Sequence, residues 1–295
     1  MFPTALSEHR KGLLLTAIGG LALSIDIPLM RLADGEFWSI LAARSMATTL
    51  VALLIAAALR IAKGRWPLLV PGWPGLVTGV LYGLTTVTFL LAVFNTSTAN
   101  VVFIVAFNPM FAALLSWIFL KERPAVATLI AMTAMIFGVG LIVQDGLSGG
   151  HLFGDIMALL TSFIIAAAIT VSRASRREMG FVSLLSTMLP AAVGLSSVIP
   201  VGGFSIEHPL WIMLDGAVMM PLAFWCLATG PRYLSAPEVG MFYLLETVLA
   251  PIWVWLIFSE APARMTLIGG GILVAAIAAH SVWMVRGNSV RQIAG

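Results

Sequence analysis

Residues Thr98 to Pro124 read TANVVFIVAFNPMFAALLSWIFLKERP, an apolar run with Asn108-Pro109 at its middle and a charged Lys121-Glu122-Arg123 stop. A shift of 138 positions lays Ala236 to Pro262, APEVGMFYLLETVLAPIWVWLIFSEAP, on it without a gap. Over residues 98–131 nine of 34 positions are identical, among them Trp117 with Trp255, Glu122 with Glu260 and Pro124 with Pro262. Apolar composition produces some matches, but not a Trp, a Glu and a Pro in register. The chain therefore reads as a duplicated unit, with halves 1–148 and 149–295.

With 60% apolar residues, 10% charged and a mean hydropathy of +1.03, 295 residues have too little polar surface to solvate a globule. The chain reads as an all-α integral membrane protein. Ten apolar runs approach the ~20 residues that span a bilayer: 12–32, 36–59, 73–94, 98–120, 124–143, 154–172, 181–200, 209–229, 236–258 and 262–284. Their length without period-two alternation makes them helices. The basic His9-Arg10-Lys11 start resembles a signal peptide, but the run after it is of spanning length and lacks a small-residue cleavage pattern.

With the N-terminus cytoplasmic, the inner segments hold Arg10, Lys11, Arg60, Lys63, Arg65, Lys121, Arg123, Arg173, Arg176, Arg177, Arg232, Arg286 and Arg291, and the outer loops only Arg31 and Arg264. That asymmetry puts both termini in the cytoplasm. Five helices per copy is odd, so the second copy is inserted upside down. Lys121-Glu122-Arg123 on the inside becomes Ser259-Glu260-Ala261 on the outside, losing its positive charges and keeping its Glu. Inverted repeats around a midplane site are the usual plan of secondary transporters.

The twice-occurring pattern of a proline-bearing helix, a Phe/Leu-x-Glu end and a Pro-started next helix resembles the EamA-type ten-helix members of the drug/metabolite transporter superfamily. The likeness covers the whole chain and is strongest at 98–143 and 236–282. It implies a bacterial inner-membrane exporter of amino acids, aromatic and other neutral ones included, or of similar small metabolites, working in the lipid bilayer by alternating access. Drugs, nucleotide sugars and lipid-linked metabolites are the alternative cargoes. Two departures bear on cargo: Pro251 falls four residues beyond the equivalent of Pro109, and Glu238 and Glu246 stand where the first copy has Asn100 and Asn108.

Ionisable groups inside spans cost several kcal/mol unless they face protein or water. Asp26 in the first span and Arg44 in the second lie at similar depth: Arg44 pairs with Asp26, meets a substrate carboxylate or snorkels. Glu246, near the middle of the ninth span, is the equivalent of Asn108 in the fourth, and Pro109 and Pro251 are close by. Two polar residues at related positions, each with a proline that permits a bend, point to a shared cavity. Asp215 and Pro221 in the eighth span, with Tyr82 and Tyr243, complete the candidate substrate site. The residues leave proton coupling, uniport and exchange open.

Other features have structural readings. Glu122 and Glu260 precede prolines that can start helices, where a carboxylate suits the dipole, and Asn100 lies near a helix start, where N-capping is favoured. Gly75, Gly79 and Gly83 recur every four residues, as in close helix packing, although Gly79 is also a candidate for a sliding gate face. Eight of the nine Trp residues lie near span ends, as in an aromatic belt. Four scattered histidines and the single Cys226 give no ligand spacing and no clustered nucleophile, so neither a metal, a cofactor nor an enzyme is expected. The basic residues lie in short loops, and nucleic acid is not an expected partner. Oligomeric state is not legible.

Overall fold

A computed structural model describes residues 3–64, 66–175, 179, 181–229, 233 and 236–293, with side chains described except at 3–7, 145–148, 228, 236–241, 243 and 284–293. Arg65, Arg176, Arg177 and Arg232, and the side chains of Glu238, Tyr243, Arg286 and Arg291, thus lie outside the described residues. The named elements are all helical. Among the described residues nine are long and apolar enough to cross a membrane: α1 (Glu8–Leu32), α2 (Phe37–Lys63), α3 (Gly72–Asn95), α4 (Thr98–Leu120), α5 (Val126–Gln144), α6 (Leu152–Ser175), α7 (Val182–Val201), α8 (Pro209–Leu227) and α10 (Arg264–Trp283). Between α8 and α10 lies α9 (Ala236–Phe258), whose described apolar segment is the shorter Leu244–Phe258.

Helices are the form these sequences take because hydrocarbon offers no hydrogen-bond partner to a peptide group. Lateral packing then follows from small residues. Helix α2 packs on α7, α5 on α10, α3 on α6 and α1 on α8, while α4 and α9 meet each other and lean on α6 and α1. A Cβ on Gly194 of α7 would lie 2.8 Å from the backbone nitrogen of Ala42 on α2, and one on Gly138 of α5 would lie 2.8 Å from the Gly269 carbonyl oxygen of α10. Backbones touch there, and only glycine allows it. Gly83 meets Leu189 and Ser186 of α7 in the same way, whereas Gly79 leaves a Cβ ordinary clearance, 3.5 Å from Val182.

Several helices are interrupted, and prolines explain where. A proline at position i removes the donor for the carbonyl at i−4. Helix α1 breaks at Ile25, ahead of Pro28; α4 breaks at Ala106-Phe107, ahead of Pro109; α7 breaks at Ser186-Thr187, ahead of Pro190. In α8 a π-turn over Asp215–Met219 precedes Pro221. Pro251 differs: α9 runs through it as one helix, so the break expected by analogy with Pro109 is absent.

Two observations recur at the 138-residue interval. Lys121 and Ser259, which follow α4 and α9, both adopt the left-handed conformation, with φ of 57° and 55°. Thr49 of α2 and Thr187 at the break of α7 share a hydrogen bond of 2.7 Å.

The glycine contacts are testable. Gly138→Val should lower the thermal midpoint of the purified protein, read by size-exclusion chromatography after heating, with an overpacking cost of about 1–3 kcal/mol. Gly140→Ala, where a Cβ meets nothing within 4 Å, should leave it unchanged.

Candidate functional site

The interrupted helices bring charged side chains together. Asp26 opens the half-helix that follows the break in α1, and Asp215 is the first residue of the π-turn in α8. Between them lies Arg44 of α2, whose Nη2 donates to Asp26 Oδ1 at 2.6 Å and whose Nε donates to Asp215 Oδ2 at 2.7 Å. The Met220 sulfur accepts a further contact from Nη2 at 3.1 Å. The charged side chains are at most 7% exposed. One guanidinium thus clamps three helices, as its fixed fork of donors permits.

Local chemistry explains why the clamp forms here. The π-turn displaces the carbonyl of Gly216, and Thr48 Oγ1, one turn along from Arg44, donates to it at 2.7 Å. A Cβ on Gly216 would lie 2.5 Å from the Arg44 carbonyl oxygen, so α2 and α8 touch at the level of the ion pair. In α1, the Ser24 hydroxyl at the break donates to Leu21 and accepts from Trp253 Nε1 at 3.1 Å, which fastens α1 to α9. That places Trp253 in the packing between these helices and separates it from the belt, where Trp73, Trp255 and Trp283 are exposed.

Glu246 of α9 is partly buried and makes no hydrogen bond or ion pair among the described residues, and α9 packs against the half-helix of α1 that Asp26 opens. Arg44 Nη1 likewise has no acceptor among them. The spans therefore hold an uncommitted guanidinium edge, at Arg44, and an uncommitted carboxyl, Glu246. Of the residues singled out from sequence, Asp26, Arg44 and Asp215 are brought together, and Glu246 stands on a helix packed against that of Asp26.

The others are placed elsewhere. Asn108 serves the break in α4: its Nδ2 donates to the Val105 carbonyl at 3.3 Å, and Ser162 donates to the same oxygen at 3.3 Å. That is the carbonyl that Pro109 deprives of a donor. The Tyr82 hydroxyl is partly buried without a hydrogen bond among the described residues, and the Tyr243 side chain lies outside them.

Three structural readings need correction. Asn100 does not cap a helix, because Ser97 is the cap. Instead Asn100 is buried, donates to Asp155 Oδ1 at 3.0 Å and accepts from Thr266 at 2.7 Å, while Thr96 also donates to Asp155 at 2.7 Å. Asp155 was detectable as an ionisable residue inside a span. Glu122 and Glu260 do not sit at the starts of the next helices, which begin at Val126 and Arg264. Glu260 pairs with Arg31, which also donates to Thr98 at 3.4 Å and lies 4.7 Å over the Phe258 ring. Glu122 accepts from Arg173 at 2.9 Å, and Arg173 also reaches Ser116 at 3.3 Å. These two ion pairs stand at opposite ends of α4.

An apolar cleft of about 700 Å³ lies between α3, α4 and α6, lined by Trp73, Leu115, Phe119 and Phe163 among others, and shares no residue with the charged cluster. Among the described residues no group of three or more His, Cys, Asp or Glu side chains is placed to hold a metal.

Comparison with known proteins matches the chain to the EamA-like transporter family over residues 10–144 and again over 152–282. It is 25% identical over 281 residues to the pseudopaline exporter CntI of Pseudomonas aeruginosa strain UCBPP-PA14, a match that covers 92% of this chain and 96% of that protein. The exporter of the same name from strain PAO1 is 24% identical over 280 residues, with the same coverage. One solved structure superposes with a TM-score of 0.61 at 19% identity, covering 91% of this chain and 98% of its own, which speaks to the fold alone.

The clamp separates stability from chemistry. Arg44→Ala strands two buried carboxylates and should cost about 3–5 kcal/mol of stability, seen as loss of folded yield in detergent. The combined Asp26→Asn, Arg44→Met, Asp215→Asn variant removes every charge of the clamp and should recover yield without recovering transport, measured as in the next section.

Proposed function

Because the chain belongs to the EamA-like transporter family, we propose that it exports a small zwitterionic metabolite, an amino acid or an amino-acid-derived compound. The membrane is a bacterial inner membrane, and the device is alternating access between two inverted five-helix repeats. At the coarser level the chain is a multi-pass membrane transporter and not an enzyme.

The observation that carries the cargo reading is the pair of uncommitted groups inside the spans. Arg44 Nη1 is a donor for a carboxylate, and Glu246 an acceptor for an ammonium. The partners of Arg44 stand where α1 and α8 are interrupted, so backbone carbonyls and side chains there can exchange partners without unravelling a continuous helix. The export direction is supported by the relatives named as exporters of pseudopaline.

Inverted repeats are supported by equivalences at the interval of 138. The left-handed ends at Lys121 and Ser259 fall there, and Thr49 touches its own equivalent, Thr187, as residues beside a twofold axis do. Glu122 and Glu260 are equivalents too, and each meets an arginine at the end of the first helix of the other repeat, Arg173 of α6 or Arg31 of α1. One such contact at each end suits a carrier that opens one end while the other stays paired.

A lipid-linked or amphipathic cargo is the second reading, favoured by the apolar cleft between α3, α4 and α6. Proteoliposomes loaded with a mixture of labelled amino acids decide between them. Efflux of one or more amino acids is expected, reduced at least several-fold by Glu246→Gln and by Asn108→Ala at unchanged folded yield. Absence of any amino-acid flux, with binding of a lipid or sugar nucleotide instead, overturns the cargo assignment. Normal flux in both variants reduces Glu246 and Asn108 to packing.

A further inference from the structure

The apolar cleft stands at one end of the spans. Trp73 and Val77 come from the first turns of α3, Phe119 and Leu120 from the last turn of α4, and Ala174 and Ser175 from the last turn of α6. At about 700 Å³ it falls within the roughly 300–1,000 Å³ of ligand pockets. Trp73 and Phe119 are 74% and 71% exposed, so the cleft is open. The two hydroxyls in its wall serve their own helix: Thr170 donates to the Ala166 carbonyl and Ser175 to the Ser172 carbonyl, each at 2.8 Å. Such walls suit hydrocarbon better than water. The Trp73 indole, at the start of α3, is the kind of amphipathic group that sits at headgroup level.

The polar edge of the same end is basic. Leu120 of the wall runs straight into Lys121-Glu122-Arg123, all exposed, and Arg173 of α6 is exposed as well. Arg173 reaches across to α4, meeting Ser116 at 3.3 Å and Glu122 at 2.9 Å, so the charged groups and the cleft share the ends of the same two helices. Lys121 and Arg123 make no ion pair among the described residues. Arg176, Arg177 and Glu178, next along the chain, lie outside them. In the second copy both halves of this arrangement are replaced. Ser259 and Ala261 stand for Lys121 and Arg123, and for Leu115 of the cleft wall stands Trp253, whose indole donates to Ser24 of α1 at 3.1 Å.

We propose that the cleft binds an anionic phospholipid of the cytoplasmic leaflet, its acyl chains against α3, α4 and α6 and its phosphate at Lys121 and Arg123. The leaflet rests on the orientation that puts both termini, and with them this end, in the cytoplasm. Bulk lipid solvates an acyl chain as well as the cleft does, so the cleft fixes where the lipid sits and the headgroup decides which lipid it is. A phosphate finds two unpaired cations beside the hydrocarbon slot, the arrangement by which basic pockets between spans hold anionic headgroups on the cytoplasmic side. A zwitterionic headgroup adds an ammonium that the same cations repel. Helix α6 belongs to the second half of the chain and α3 and α4 to the first, so the lipid bridges the halves beside the Glu122–Arg173 pair. A resident lipid also removes the support that the cleft lends to an amphipathic cargo.

Lipid retention tests this without knowledge of the cargo. The full-length protein in mild detergent is given equal amounts of phosphatidylglycerol and phosphatidylcholine with identical chains, and the bound lipids are counted by native mass spectrometry. Wild type should retain phosphatidylglycerol several-fold over phosphatidylcholine. The combined Lys121→Gln, Arg123→Gln variant, changed only at exposed loop positions, should lose that preference. Leu115→Trp and Ala167→Phe, which fill the cleft, should each retain fewer lipids of either kind, and if one fails to fold the other decides. Equal retention of the two lipids by wild type, a preference that survives removal of the two charges, or undiminished retention with the cleft filled overturns the proposal. Arg123→Cys in a Cys226→Ala background should escape a membrane-impermeant maleimide in intact cells; labelling there overturns the leaflet and leaves the binding result standing. Retention is read without transport, so absence of amino-acid flux removes the cargo and keeps the lipid site, and loss of the lipid preference leaves the carrier reading intact.

Discussion

A guanidinium locked between two carboxylates, sealed from water among three helices, is the constraint on which the rest of this structure depends. Hydrocarbon provides no driving force for helices to associate, since lipid is as apolar as the side chains. Glycine contacts give α2, α5, α7 and α10 close approach, but they do not select depth or rotation. Arg44 does both: it has to meet Asp26 and Asp215 at hydrogen-bond distance, and only one setting of α1, α2 and α8 allows that. The nearby contacts, Thr48 on the Gly216 carbonyl and Gly216 against the Arg44 backbone, satisfy the same setting.

The helix breaks are the second half of the same arrangement. A continuous helix presents its residues on a smooth cylinder, while a broken one can turn a side chain inward and release a carbonyl. Two of these releases have side-chain donors: Val105 receives Asn108 and Ser162, and Gly216 receives Thr48. The prolines therefore create polar backbone inside the membrane only where hydroxyl and amide side chains are at hand. Pro251 does not interrupt α9, which carries Glu246 as one continuous helix beside the broken ones.

Much of this was legible in the sequence, and the limits are physical. Span positions follow from hydropathy, and the helices begin and end within a few residues of the apolar runs. Asp26 with Arg44 was legible because charges inside a span must find partners. Asp215 was visible as a candidate, but nothing in one dimension ties α8 to α2. Pro28 and Pro190 mark breaks as clearly as Pro109 does, yet reading for repeats drew attention only to prolines near equivalent positions. Asn100 was assigned to a helix start from its place in the run. Its burial against Asp155 and Thr266 depends on how α4, α6 and α10 pack, which local rules do not contain. Glu122 and Glu260 show the same limit: their spacing from proline suggested dipole placement, and the arginines that hold them come from the opposite half of the chain.

That crossing of halves gives the duplicated glutamates their meaning. A carboxylate that repeats at the ends of two related helices has no reason to persist if it serves only its own helix, because other N-terminal residues do that as well. Each glutamate instead binds the first helix of the other half, so separating the halves at one end means breaking one pair, and the pair at the other end is independent of it. The pairs are a third to a half exposed, where a salt bridge contributes little, so each can be broken at small cost. The buried clamp around Arg44 is the opposite case, costly to break. A structure that is weakly joined at its two ends and strongly joined at the buried clamp can rock about that clamp.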